Sequence, residues 1–218
     1  AIDKMAVSNT EATVESTVDR VNSDLLDIRQ IFNAANYNIV QEFDISSEKF
    51  AEQFSLLYEV NSDKIESLAL YGNEGRLIAS EPVAVEKENI DVTGQDWYKN
   101  AESAIENVHF SVPHIQNLYE DGLYRYHWVV SLSRYVDIND GEIPGSGVLL
   151  VDMKYSVIED VLKQINDSSE GIYYYMISRD GQMIYHPRKT EMARGLFEEN
   201  SLKASGYEEG TYEITTDG

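Results

Sequence analysis

The sequence predicts an α+β fold: a long N-terminal helix followed by two modules with antiparallel sheets, the second incomplete within these residues. Three patterns carry that expectation. From Ile2 to Asn36, Val7, Val14, Val21, Ile28 and Ala35 recur every seven positions, and Val18, Leu25, Phe32 and Ile39 form a second row offset by four. Together the rows make one apolar helical stripe. The period then changes to the alternation of strands. Finally, Leu68-Ala-Leu-Tyr-Gly-Asn-Glu-Gly-Arg-Leu-Ile78 and Tyr175-Met-Ile-Ser-Arg-Asp-Gly-Gln-Met-Ile184 repeat one unit, an apolar strand, a Gly-containing turn and a second strand. A repeated antiparallel unit predicts two related α+β modules in series.

The elements follow in order. The first helix has no Pro or Gly to interrupt it and is long enough to serve one of two further purposes, docking a second copy or leading to a membrane segment. Ser46 or Ser47 is placed to cap a second helix that runs to about Val60, with Phe50, Phe54, Leu57 and Tyr58 at helical spacing. Ile65–Tyr71 and Arg76–Ser80 flank the turn Gly72–Gly75 as a hairpin. Glu81–Asn89 reads as polar loop and Trp97–Asn107 as a short helix. Val108–Ser111 and Tyr124–Val136 read as strands, the latter with Tyr124, Tyr126, Trp128, Val130 and Leu132 on one face. Asp137–Pro144 is a turn, Gly147–Met153 a strand and Ser156–Ile165 a helix. Ile172–Ser178 and Gln182–His186 form the second hairpin. After a strand over 210–216 the chain reaches Asp217-Gly218, a turn with no returning strand, so the second sheet is expected to lack its last strands.

Composition narrows the function. Seventeen basic residues against 39 acidic give a net charge of −22, which repels phosphate backbones and argues against nucleic acid. There is no Cys, which removes thiolate chemistry, disulfides and Cys-ligated metals together. The four His (109, 114, 127 and 186) have no metal-ligand spacing, and Asp137–Glu142 departs from a calcium loop. Neither Gly-x-Ser-x-Gly nor a Gly-rich phosphate loop occurs. No catalytic residue, metal or cofactor is expected. No apolar run reaches the roughly 18 residues of a membrane span.

A small-molecule pocket is the chemistry the residues support. Asp91-Val-Thr-Gly-Gln-Asp-Trp-Tyr98 opens a helix with two large aromatics beside a turn, and Gly147-Val-Leu-Leu-Val-Asp152 ends an apolar strand on a carboxylate. Such a carboxylate is costly without a partner, so Asp152 needs a ligand or an internal cation such as Arg134. Trp97 and Tyr98 either plug the core beneath their helix or wall the pocket. His114 either joins it or bonds only its own loop. Tyr126 and Trp128 lie on a strand face whose direction the sequence leaves open.

Gly-Gln-Asp-Trp-Tyr98, Ser-Val-Pro-His114, Val-Val-Ser-Leu-Ser-Arg134, Gly-Val-Leu-Leu-Val-Asp152 and Ser-Arg-Asp-Gly-Gln-Met-Ile-Tyr-His-Pro187, in that order after a long helix, resemble the double Cache (PAS-like) extracellular sensor domains. The closer likeness is to those of Gram-positive transmembrane histidine kinases paired with AraC-type response regulators. The resemblance implies a helix and connection over 1–45, a membrane-distal, ligand-binding Cache module over 46–165 and an incomplete membrane-proximal module over 166–218. It implies an extracellular position at the cell membrane, attached through flanking helices. A chemoreceptor or diguanylate cyclase could carry the same module, and a free solute-binding protein is a further alternative.

The family's amino-acid binders carry Arg-x-Trp-Tyr preceded by a Tyr, then a further Tyr and an Asp. Trp97, Tyr98 and Asp152 match; the Arg position is Gln95, the first Tyr position Ile90 and the later one His114. The resemblance therefore implies a ligand site of Gln95, Trp97, Tyr98, His114 and Asp152, and the strand face adds Tyr126 and Trp128 as candidates for the same site. Because an amide cannot clamp a carboxylate as Arg does, the expected ligand is a sugar, polyol or amine rather than a standard amino acid. A homodimer through the N-terminal helix is a further expectation.

Overall fold

The computed structural model of the chain describes residues 2–141 and 143–210. The strand expected over 210–216 and the closing turn lie outside the described residues, as does Glu142 of the Asp137–Pro144 turn. The structure is α+β with antiparallel sheets, and it divides into two compact units, Ala1–Val161 and Leu162–Gly218.

The first unit opens with α1 (Ile2–Asn33), about 48 Å long at 1.5 Å per residue. It passes into a π-helical turn, Ala34–Val40. Its apolar stripe is buried from Val21 onward, at Ile28, Ile31, Phe32, Ala35 and Ile39, whereas Val14 and Val18 are exposed. Helix α2 (Glu48–Glu59) begins where Ser47 Oγ accepts the Phe50 amide at 3.1 Å. Phe50 and Phe54 lie one turn apart on its buried face and stack at 5.2 Å.

The sheet comprises β1 (Ile65–Gly72), β2 (Leu77–Glu81), β3 (His109–Phe110), β4 (His114–Ile115), β5 (Trp128–Asp140) and β6 (Ile143–Lys154). Its order is β2-β1-β6-β5-β3, with β4 also on β5, and every pairing is antiparallel. Strand β5 starts later and ends later than the sequence predicts. Tyr124 and Tyr126 lie in the preceding loop, while buried Ile138 extends the strand so that Asp140 still pairs with Ile143. Between β2 and β3 stands α3 (Asp96–Ser103), after a turn in which Asp91 Oδ1 accepts the Gly94 amide at 2.9 Å. Helix α4 (Ser156–Asp167) follows β6.

Strand periodicity assigns the two faces of the sheet. Leu68, Leu70, Val130, Leu132, Leu149, Val151 and Met153 are buried on one face. Arg134 shares it and donates to Tyr37 Oη of the π turn at 3.2 Å, which marks it as the face under the N-terminal helices. The other face carries Ser67, Ala69 and Tyr71 from β1, Val148, Leu150 and Asp152 from β6, and Ser131, Ser133 and Tyr135 from β5. Helix α3 covers it, with Ser133 Oγ donating to the Trp97 carbonyl at 2.8 Å. Where β1 and β6 meet, a Cβ on Gly147 would stand 2.0 Å from the Tyr71 carbonyl oxygen, contact with rigid backbone that no rotamer relieves. Gly147→Ala is expected to cost about 1–3 kcal/mol, read as a lower urea midpoint; an unchanged midpoint would mean the strands part easily there.

In the second unit β7 (Met176–Ile177) and β8 (Met183–Tyr185) form the second hairpin, and α5 (Lys189–Ala193) and α6 (Ser201–Ala204) follow. Gly181, at φ +84°, supplies the left-handed position of the hairpin turn. His186 is buried among the rings of Tyr173, Tyr175 and Phe197, all within 5.3–5.4 Å. Its Nδ1 accepts the Arg188 amide at 3.0 Å and its Nε2 lies 3.3 Å from Glu199.

Candidate functional site

The α3 face of the sheet is apolar at one end and polar at the other. At the apolar end Tyr71, Trp97, Tyr98, Ala101, Leu118, Tyr119 and Leu150 form one buried cluster. The Trp97 ring stands 5.4 Å from Tyr71 and 5.7 Å from Tyr98, and the Tyr71 and Tyr119 hydroxyls meet at 3.0 Å. Burial raises both of those phenols above their ordinary pKa.

At the polar end sits Asp152, 1% exposed. The register places it between Ser67 of β1 and Ser131 of β5, and both hydroxyls donate to it, Ser131 to Oδ1 at 2.5 Å and Ser67 to Oδ2 at 2.9 Å. His114 stands one hydroxyl further away, Nε2 3.3 Å from Ser131 Oγ. Its Nδ1 is 3.0 Å from the Val112 carbonyl and 3.2 Å from Ser111 Oγ. Removal from water is the largest influence on Asp152 and raises its pKa; the two serine bonds and the charge of His114 oppose that rise without cancelling it. Arg134, the internal cation that the sequence offers, lies on the opposite face, so the carboxylate has hydroxyl partners and, among the described residues, no salt bridge.

A cleft of about 540 Å³ opens beside this group. Ser67 and Tyr119 lie in its lining, so Asp152 is one hydroxyl behind it. One lip is Pro82–Val85 and the other the loop from Gln116 through Tyr119–Gly122 to Arg125 and His127. The lips are joined as a ribbon, with the Lys87 amide donating to Leu118 O and the Glu120 amide to Val85 O, each at 2.9 Å. His127 ties the second lip to the sheet, Nδ1 2.7 Å from Glu66 and Nε2 2.7 Å from Asp121. The His127 bond, the Leu123 amide and Arg125 hold the Asp121 carboxyl well below the usual carboxylate range.

The residues expected from sequence scatter around this cleft. Asp152 and His114 come together through Ser131. Trp97 and Tyr98 lie in the buried cluster and not in the cleft lining. Gln95 is half-buried and returns its Nε2 to the Asp91 carbonyl at 3.2 Å, within its own turn. Tyr126 is 78% exposed and Trp128 50% exposed. Trp128 shares the parity of Val130 and Leu132, while Ser131 is the residue opposite Asp152. Ser67, Ser131, Tyr119, Arg125 and His127 were not legible as site residues. The available signal was the alternation of Ser131 and Ser133 with Val and Leu in a buried strand, which marks a polar stripe on one face.

An antiparallel sheet flanked by helices, with a cleft over a buried acid, is a build suited to holding a small molecule. The chain belongs to the Cache domain family, whose double-Cache model matches residues 2–218. Cache domains are extracellular, non-catalytic ligand-binding modules, so this domain is a sensor and not an enzyme. Among the described residues no helix is long and apolar enough to cross a membrane.

Similar solved structures include the ligand-binding domain of the Pseudomonas aeruginosa PAO1 amino acid chemoreceptor PctB with L-Gln, at 20% identity and TM-score 0.57, covering 83% of this chain and 68% of that one. The domain of the Pseudomonas fluorescens chemoreceptor CtaA with L-serine matches at 20% identity and TM-score 0.61, over 86% and 75%. The domain of Mlp24 with asparagine matches at 17% and 0.66, over 100% and 84%. No curated protein matches the chain significantly. The relatives correct one expectation. Gln95 argued for a sugar, polyol or amine over a standard amino acid, yet these domains of the same fold hold glutamine, serine and asparagine. The inference from one missing Arg fails because it treats position 95 as the sole source of a carboxylate partner.

Proposed function

We propose that the chain is the sensor part of a transmembrane receptor and that its cleft holds an amino acid, with the ligand's ammonium group neutralised by Asp152. The observation that carries this is the state of Asp152: a fully buried carboxylate, bonded by two hydroxyls and, among the described residues, by no cation, directly behind an open cleft. A carboxylate has about four acceptor positions, so two remain for a donor that also brings positive charge. An ammonium group meets both needs, and the amino acids held by the structural relatives support the same class. Ser67, Ser131, His114 and Tyr119 complete the site. Trp97 and Tyr98 act as its buried support.

Two Cache modules in series, a ligand-binding one ending near residue 165 and a membrane-proximal one beyond it, fit the repeated hairpin. Ligand would draw the ribbon formed by residues 82–87 and 116–127 onto the sheet. Higher affinity for that closed form would shift the helix leading to the membrane. The order of sequence motifs supports a two-component sensor histidine kinase as output; the chemoreceptor neighbours support a chemotaxis output equally. The test is a thermal-shift and calorimetric screen of the L-amino acids and GABA against the wild-type chain. At least one should raise the melting temperature and bind with one-to-one stoichiometry, and a panel with no binder would sink the reading.

A further inference from the structure

An amino acid carries two charges, and Asp152 answers only one. Among the residues lining the cleft, two are basic, His127 and Arg125. His127 has both ring nitrogens committed, one to Glu66 and one to Asp121, each at 2.7 Å. Arg125 is committed on one side alone: its Nε donates to Asp121 Oδ2 at 3.1 Å, and neither terminal nitrogen has a partner among the described residues. A guanidinium has five N–H donors in a planar fork, so four remain, in the geometry that suits a carboxylate. The side chain is 62% exposed and lies on the lip rather than the floor. Asp121 anchors it there, and His127 and the Leu123 amide hold Asp121 in turn, the latter donating to Oδ1 at 2.8 Å. The guanidinium is thus held from behind and open in front.

Resting on the amino-acid reading above, we propose that Arg125 is the carboxylate-binding residue of this cleft. The ligand lies between Asp152 behind the floor, which takes its ammonium end, and Arg125 on the lip, which takes its carboxylate. Recognition is then divided between the sheet, which carries Asp152, and the ribbon, which carries Arg125. A ligand with both charges bridges the two and favours the closed ribbon, whereas an amine without a carboxylate touches the sheet alone. The clamp therefore serves both selection among amines and the coupling of occupancy to closure.

The experiment is a set of titrations by calorimetry on the 218-residue chain, wild type and Arg125→Gln, with Arg125→Lys as a charge-retaining control. The probes are three amino acids and the amines they become without their carboxylates: L-serine with ethanolamine, GABA with propylamine, and L-asparagine with 3-aminopropanamide. For whichever amino acid binds the wild type, Arg125→Gln should weaken binding by about ten- to a hundred-fold, the scale of hydrogen bonds to a charged group. The matching amine should bind both proteins alike. Arg125→Lys should recover part of the affinity, because it restores the charge without the fork. Equal affinity of wild type and Arg125→Gln for the amino acid overturns the clamp and leaves the Asp152 reading standing. So does an equal loss for amino acid and amine, which would mean that the substitution only disturbs the ribbon. If neither these three nor any other L-amino acid binds the wild type, the amino-acid reading falls first and the clamp with it.

Discussion

Asp152→Asn is expected to stabilise the ligand-free chain near neutral pH while removing its response to ligand. The native carboxylate is buried against two serine hydroxyls with no salt-bridge partner among the described residues, so burial disfavours its charged form and raises its pKa, a rise that the serine bonds and His114 only partly oppose. A carboxyl raised on folding contributes stability that is fully present below its unfolded value and is lost as pH rises through the folded one. The wild type therefore forfeits stability as pH climbs above the ordinary aspartate value of 3.8, and the amide does not. Asparagine keeps the shape, accepting from one serine and donating to the other. The gain should be about 1–2 kcal/mol, or roughly 2–4 °C of melting temperature for each kcal/mol in a chain of this size. The difference between the two proteins should shrink toward pH 4 and grow toward pH 7. Binding moves oppositely: an ammonium group that loses a buried counter-charge loses on the order of 3 kcal/mol or more, at least a hundred-fold in affinity. A variant less stable than the wild type at pH 7 would mean that Asp152 is already compensated.

Trp97→Ala should produce the largest loss of stability among the aromatic substitutions. The indole is 6% exposed and sits between Tyr71 and Tyr98 in the buried cluster, while its own carbonyl accepts from Ser133. Removing it leaves a cavity under α3 at about 3–5 kcal/mol, visible as a lower urea midpoint with little change in slope. Because Trp97 does not line the cleft, Trp97→Phe should keep most of the stability and bind ligand as the wild type does. A variant that folds with unchanged stability yet fails to bind would instead put the indole against the ligand.

The contrast between these residues explains what the sequence could and could not specify. Helix α2 was legible because Ser47 is a good cap and Phe50 and Phe54 recur at helical spacing. The hairpins were legible from their turns and apolar strands, and Asp152 from the oddity of an acid closing an apolar run. Its neighbours required the register, since Ser67 and Ser131 come from strands far apart in the chain and meet only through pairing. Trp128 shows the limit of alternation alone: it gives two faces without saying which one bears the acid, and pairing puts Ser131 there instead. The ribbon was the least legible part. Residues 82–95 and 116–123 have no periodicity, the alternation of Tyr124 and Tyr126 with Trp128 suggests strand where the chain is still loop, and the order of the ribbon comes from scattered bonds such as His127 to Glu66 and Glu120 to Val85. Arg125 is hidden from the sequence inside that stretch, which leaves position 95 as the one place where a carboxylate partner could be sought.

The most direct measurement is a crystal structure of the chain with the amino acid that binds it most tightly. The ligand's ammonium nitrogen should lie about 2.8 Å from an Asp152 carboxylate oxygen, with the 82–87 and 116–127 ribbon drawn in over it. A ligand bound elsewhere, with Asp152 still held only by Ser67 and Ser131, would contradict the account.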